Sequence, residues 1–227
     1  MTTLVVIPAF NEEVTVGQVV ASVAAAGWPA LVVDDGSSDD TAGIARAAGA
    51  SVISLPVNIG VGGALRAGFK YAVERGVTRV VQVDADLQHD PAAIPLLIAR
   101  ADEGIDLVIG SRFEAPGYRV PAVRRLMMRL LARIVSRRTG VRLTDVTSGF
   151  RAISDPLLSV FAEQYPSEYL GDTVEAILLA HRHGAQIGQV GVAMSSRPLG
   201  GGTPPARAAG YLAGLLVGLL AKPRRRR

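Results

Sequence analysis

The 227-residue sequence has no cysteine, which excludes disulfides and thiolate-bound metals and suits a reducing compartment. Aromatic residues make up only 5% of the chain and none lies within residues 119–142, where eight arginines gather, so the stacking platforms of a single-strand nucleic-acid binder are missing. That same arginine-rich stretch contains no acid. No HxxxH pair suggests zinc, the first apolar run is not followed by GxGxxG, and the glycines of residues 58–63 are not followed by Lys-Ser/Thr. A dinucleotide fold and a Walker P-loop are therefore not expected. Long apolar runs are lacking too: the C-terminal run, residues 208–221, has 14 residues, and spanning a bilayer takes roughly 20. The opening MTTLVVIPAF has no basic residue before its apolar run and a Pro-Ala-Phe-Asn turn straight after it, which predicts a first strand rather than a leader and a cytoplasmic location.

What is present is a chain 49% hydrophobic, rich in Ala, Val, Leu and Gly, and long enough for one large α/β domain. Apolar β-branched runs at residues 4–8, 31–35, 51–55, 79–86 and 106–112 alternate with helical stretches, the pattern of a mostly parallel, doubly wound sheet with helices on both faces. Ligands of such sheets sit at the carboxyl ends of the strands. The polar residues fall there: Asn11, Glu12 and Glu13, then Asp34 and Asp35, then Asp84 and Asp86, then Ser111 and Arg112. Singly, each could be a cap or a turn residue; together they mark one rim.

In VDADLQHD, Asp84 and Asp86 are two apart, so on an extended strand both would point to the same side. Two close carboxylates repel unless a cation or proton lies between them. A hard divalent ion, Mg²⁺ or Mn²⁺, takes one or two protein carboxylates and completes its shell with water and substrate phosphate, and Gln88 could add a carbonyl oxygen from the same turn. His89 reads instead as a hydrogen-bonding surface residue. Asp35, following a strand, could accept hydrogen bonds from a base or ribose.

PAFNEE, VVDDGSSDDT, NIGVGGALRAGF, VDADLQHD, VIGSRF and DVTSGFRA occur in an order and spacing that resembles the inverting family-2 glycosyltransferases, most nearly the dolichyl-phosphate mannose synthase-like polyprenyl-phosphate subgroup. The resemblance covers about residues 3–200. It implies a GT-A fold, a nucleotide-diphosphate sugar and Mg²⁺ or Mn²⁺. Carried over by position, Pro8, Phe10, Glu12, Val33 and Asp35 would line the nucleoside, Asp84 and Ala85 the ribose and diphosphate, and Asp86 with Gln88 the metal. Arg112 and Arg197 would contact phosphate or sugar. The chain departs from its relatives at Thr203, where many have Ser, and in lacking the multi-helix membrane domain of many of them.

The charge pattern suits a lipid-phosphate acceptor. The arginines of residues 119–142 and the tail KPRRRR hold 13 of the 24 basic residues, which leaves the rest of the chain at about −9. Arg125, Arg129, Arg133 and Arg137 recur every four residues as a helical stripe beside Leu and Met, an amphipathic pattern suited to an anionic membrane interface, though basic stripes are also found as solvated faces. This stretch leads into DVTSGFRA, which resembles the family's acceptor-side loop. Arg124 or Arg125 and Ser148 are the candidates for the acceptor phosphate; Asp145 orients the loop or the sugar and is not assigned as a base. The expected organisation is a glycosyltransferase domain over residues 1–203 and an apolar helix with a polybasic tail over residues 204–227. That end would meet the inner face of the plasma membrane, a small membrane protein or a second copy of the chain. Nucleic acid is not an expected partner, and a soluble transferase with a small phosphorylated or hydroxyl acceptor is the alternative.

Overall fold

The computed structural model describes residues 2–114, 122–166 and 172–195. A seven-stranded sheet, in the order β3-β2-β1-β4-β6-β5-β7, carries helices on both faces. The strands are β1 (Thr3–Ala9), β2 (Ala30–Asp34), β3 (Ser51–Ser54), β4 (Arg79–Gln82), β5 (Leu107–Ser111), β6 (Arg151–Ser154) and β7 (Ile187–Gly191). The helices are α1 (Val16–Ala25), α2 (Thr41–Ala47), α3 (Val61–Glu74), α4 (Ile94–Asp102), α5 (Ala122–Thr139), α6 (Leu157–Gln164) and α7 (Asp172–Arg182). Alternation along each strand divides the core in two. Leu4 and Val6 of β1, Leu31 and Val33 of β2, and Leu107 and Ile109 of β5 pack under α3, α5, α6 and α7. Val5, Ile7, Val32 and Val108 face the opposite way, under α1 and α4. Apolar on both sides, these strands read in sequence as continuous hydrophobic runs.

β1 pairs in parallel with both β2 and β4, so the chain winds outward through β2 and β3 and then restarts on the other side of β1. The gap between the carboxyl ends of β1 and β4 is the topological switch point. β6 is antiparallel to both β4 and β5. Because β6 runs against its neighbours, the loop that precedes it, residues 145–150, arrives on the same rim as the carboxyl ends of β1, β2, β4 and β5. Buried Arg151 fixes that loop from below, donating through Nε to Ser148 O (2.8 Å) and through Nη2 to Val146 O (3.3 Å).

One expectation is corrected here. β4 ends at Gln82, and Asp84 and Asp86 are not on an extended strand: residues 85–87 turn sharply, with Leu87 at φ 64°. A left-handed, branched residue is uncommon outside turns and functional loops. Among the described residues no helix is long and apolar enough to cross a membrane.

Candidate active site

The switch point opens into a cleft of about 280 Å³. Pro8, Ala9, Phe10 and Glu12 come to it from the end of β1, Asp35 from the end of β2, Asn58, Gly60, Val61 and Ala64 from the entry to α3, and Asp84, Ala85 and Asp86 from the turn after β4. The loops after β1 and β2 are tied together across their length. Asn11 N donates to Ser37 Oγ (2.9 Å), Ser38 N to Asn11 Oδ1 (2.9 Å) and Glu12 N to Thr41 Oγ1 (2.8 Å). Asp39 joins the same seam. Burial raises its pKa, but hydrogen bonds from Thr41 and from Glu13 N outweigh this and hold the carboxyl below its ordinary value.

Asp35 does two things. Its Oδ1 accepts from Ile59 N (2.8 Å) and its Oδ2 from Gly60 N (2.9 Å), which fixes the glycine-rich entry to α3 against the cleft it also lines. Gly36 is required beside it: at φ 72°, a Cβ there would meet the Val57 carbonyl carbon at 2.7 Å.

Asp84 is held by its own turn and by the loop before β6. Its Oδ1 accepts from Gln82 Nε2 (3.3 Å), and a Cβ on Gly149 would lie 2.6 Å from its Oδ2, so only glycine lets the two loops meet. His89 is not a surface residue, as its sequence context suggested. The turn at Leu87 folds it inward, where it is buried and stacks on Phe150 with ring centroids 5.0 Å apart. Its Nδ1 accepts from Asp84 N (3.0 Å), which assigns the proton of the neutral ring to Nε2, 3.7 Å from Asp84 Oδ2. Burial pushes the His89 pKa down, against the opposing pull of the Asp84 and Asp86 carboxylates.

The donor set fits a hard divalent cation. Two carboxylates, Asp84 and Asp86, face one cleft, and Asp86 Oδ1 is oriented by Gln88 N (3.1 Å). Among the described residues no group of three or more His, Cys, Asp or Glu forms a complete cage. An ion that keeps most of its shell for water and substrate phosphate takes only one or two protein carboxylates, which Asp84 and Asp86 offer.

A second cavity, about 610 Å³, lies between β5, α5 and the segment that follows α5. Arg112, Arg125, Arg129, Arg133 and Arg142 line it together with Phe113, Ala132, Ser136, Leu143 and Thr144, and among the described residues no acidic side chain is in its wall. Arg125 Nε is buried with no hydrogen-bond partner among the described residues. Arg112 Nε donates to the buried Asp145 Oδ2 at 2.6 Å.

Of the residues anticipated from sequence at the nucleotide sugar, Pro8, Phe10, Glu12, Asp35, Asp84, Ala85 and Asp86 meet in the first cleft. Val33 does not: strand alternation turns it into the core beside Val6 and Gly68. Gln88 is outside the wall. Arg112 stands at the arginine cavity instead, and Arg125 joins it there, whereas exposed Arg124 does not. Ser148 is fully buried, its hydroxyl accepting from Phe150 N (3.2 Å), because the loop it occupies packs under the rim. Arg197, Thr203 and the segment 204–227 lie outside the described residues. Sequence reasoning did not assign Arg133 and Arg142 to an anion site. The fourfold spacing of Arg125, Arg129 and Arg133 was the available signal, and Arg142 had none.

Residues 4–161 match the family model described as Glycosyl transferase family 2. The chain is 34% identical over 216 residues to the undecaprenyl-phosphate mannosyltransferase of Micrococcus luteus, covering 88% of this chain and 86% of that one. It is 37% identical over 161 residues to the polyprenol monophosphomannose synthase of Mycolicibacterium smegmatis, covering 66% and 60%. Its fold is similar to glucosyl-3-phosphoglycerate synthase from Mycobacterium tuberculosis, crystallised with Mn²⁺, uridine diphosphate and phosphoglyceric acid (TM-score 0.75, 27% identity, covering 98% and 79%) and also with Mg²⁺ and uridine diphosphate. With a family model matched over residues 4–161 and a relative 34% identical over 88% of its length, this chain belongs to glycosyltransferase family 2.

Proposed function

We propose that this glycosyltransferase moves a sugar from a nucleotide-diphosphate donor in the carboxylate cleft to the phosphate of a polyprenyl phosphate held in the arginine cavity, at a membrane surface. The observation that carries this reading is the cavity itself: five arginines and, among the described residues, no acid in its wall, beside an acid-rimmed cleft. Arg112 is paired with Asp145, but the guanidinium groups of Arg125, Arg129, Arg133 and Arg142 share one wall and repel one another, a cost that an anionic ligand offsets. The identities to lipid-phosphate transferases support the acceptor class.

The acceptor phosphate oxygen attacks the anomeric carbon, the bond from that carbon to the diphosphate oxygen breaks, and the nucleoside diphosphate leaves with the electron pair, inverting the centre. A divalent ion, held by Asp86 with Asp84 and Gln88 nearby, supplies charge neutralisation to the leaving group when bound. Asp35 and the α3 entry shape the nucleoside end of the cleft. Arg112 and Arg125 hold and align the incoming phosphate, which is already an anion and needs no proton removed. Asp145 is no base in this scheme, since it is buried and its oxygens serve Arg112 and Thr147.

A second reading is favoured by the structural relatives crystallised with phosphoglyceric acid: a small, soluble phosphorylated acceptor could use the same arginines. A panel of nucleotide sugars is incubated with the purified chain and, separately, a short-chain polyprenyl phosphate or 3-phosphoglycerate. A labelled glycolipid supports the first reading; product on phosphoglycerate alone overturns it.

A further inference from the structure

β7 is the edge strand beside β5, and it lies beyond residue 161, where the match to the family model ends. Ile187 and Gln189 are two apart on it and share a face, and Ile187 is buried in the core that also holds Leu107 and Ile109. Alternation predicts a second apolar residue; a half-buried amide stands there instead. Both ends of that amide are used. Gln189 Oε1 accepts from Thr144 N (2.8 Å), while Nε2 donates to Thr144 Oγ1 (3.1 Å) and to the Glu114 carboxylate. A backbone N–H on one side and a carboxylate on the other fix which way round the amide sits. Thr144 Oγ1 lies 2.7 Å from Ser111 Oγ, and Ser111 Oγ accepts from Phe113 N (3.3 Å). Gly191 makes room for the pairing: a Cβ there would lie 3.0 Å from Glu114 Cβ.

These contacts join two chain segments that build the wall of the arginine cavity. One is the end of β5, with Arg112 and Phe113; the other follows α5, with Arg142, Leu143 and Thr144. Asp145, next in the chain, holds Arg112. Ser136 of α5 accepts from Leu143 N (2.9 Å) and donates to Leu143 O (3.2 Å), so the segment is gripped at Leu143 by the helix and at Thr144 by β7. We infer that Gln189 is a positioning residue for the arginine cavity: its amide fastens Thr144 to Glu114 and so sets how Arg142 stands relative to Arg112. The inference rests on the reading of this cavity as the acceptor site. Among the described residues, the wall of the carboxylate cleft contains none of Ser111, Glu114, Thr144 and Gln189. Loosening the amide therefore acts on the acceptor and spares the donor.

The test compares Gln189→Glu with the same change combined with Glu114→Gln, both in the full chain. Alone, the new carboxylate keeps the shape and an oxygen for Thr144 N, but it faces Glu114, and like charges repel. In the double variant amide and carboxylate have exchanged places, and the hydrogen bonds re-form with the Thr144 and Ser111 hydroxyls turned round. KM is measured for the nucleotide sugar and for the acceptor that wild type uses, a short-chain polyprenyl phosphate or 3-phosphoglycerate, with a thermal melt to check the fold. Gln189→Glu is expected to raise the acceptor KM about fivefold or more and to leave the nucleotide-sugar KM within about twofold; adding Glu114→Gln brings the acceptor KM back to within about twofold of wild type. Gln189→Met, of similar bulk without the amide, should show the same split between the two KM values as Gln189→Glu. An unchanged acceptor KM overturns the inference, as does an equal rise in both KM values or a double variant no better than Gln189→Glu. Wild-type protein that transfers to neither acceptor overturns the acceptor reading instead. Calorimetric titration of the metal-free chain with inorganic phosphate then decides for Gln189: binding weakened by Gln189→Glu and restored in the double variant supports the inference, and binding that is unchanged, or absent from wild type, overturns it.

Discussion

Arg112 Nε and Asp145 Oδ2 are 2.6 Å apart and both side chains are buried, joining the end of β5 to the loop that enters β6. Arg112 N also approaches the same oxygen at 3.4 Å. The carboxylate thus sets the direction in which the guanidinium presents its remaining donors to the arginine cavity. Removing one partner of a buried pair leaves an uncompensated charge, at a cost of about 3–5 kcal/mol. Asp145→Asn is therefore expected to lower the melting temperature by on the order of 10 °C and to slow transfer. The pH profile of kcat/KM keeps its shape, because no proton passes through Asp145. A variant that lost the acidic limb of that profile would identify Asp145 as a base.

Asp86 carries a different burden. It lines the cleft with Asp84, and its removal relieves repulsion between like charges. Asp86→Ala should melt at or above the wild-type temperature while transfer falls by roughly three orders of magnitude. Mn²⁺ titration calorimetry in the presence of nucleoside diphosphate should lose its signal, and wild-type activity should vanish in EDTA and return with Mg²⁺ or Mn²⁺. Full activity in chelator would sink the metal assignment.

The parallel half of the sheet was legible because strands buried on both faces must be apolar throughout, and the rim followed from the winding rule alone. β6 was not legible: Arg-Ala-Ile-Ser is half polar, and nothing local announces that Arg151 is buried to hold carbonyls of the preceding loop. The same holds for Asp35, whose partners at Ile59 and Gly60 lie 24 and 25 residues away. His89 was misread because its burial depends on the left-handed turn at Leu87, which no residue type there predicts. The arginine stripe was read as one face. In the structure Arg125, Arg129 and Arg133 line the cavity, while Arg137, a turn further on, is outside its wall, and Arg142 arrives from beyond the helix.

Arg129 and Arg133 are exposed on α5, and Arg129 is an i, i+4 like-charge neighbour of both Arg125 and Arg133. Replacing Arg129 with Ala removes one charge from the acceptor cavity and a small repulsion from the helix. The KM for polyprenyl phosphate should rise about tenfold or more, the nucleotide-sugar KM should stay as it is, and the melting temperature should hold or rise slightly. An equal rise in both KM values would mean that the two cavities do not divide donor from acceptor.

Buried, neutral His89 links stability to pH. Its pKa is lowered in the folded chain, mainly by burial, whereas in the unfolded chain the imidazole takes up a proton near its ordinary value of about 6.5. Above that pH both states are neutral and the contribution is fully present. As pH falls below it, the unfolded state binds a proton that the folded state refuses, and stability declines by up to about 1.4 kcal/mol per pH unit until the folded pKa is reached. Urea melts between pH 7.5 and 5.5, a window set by that ordinary pKa, should therefore show a falling midpoint. His89→Gln can still offer an oxygen to Asp84 N without a titrating group, so it should flatten the slope even if it lowers stability overall. A slope that survived this replacement would assign the pH dependence to other groups and remove the ground for treating His89 as the neutral support of the Asp84 turn.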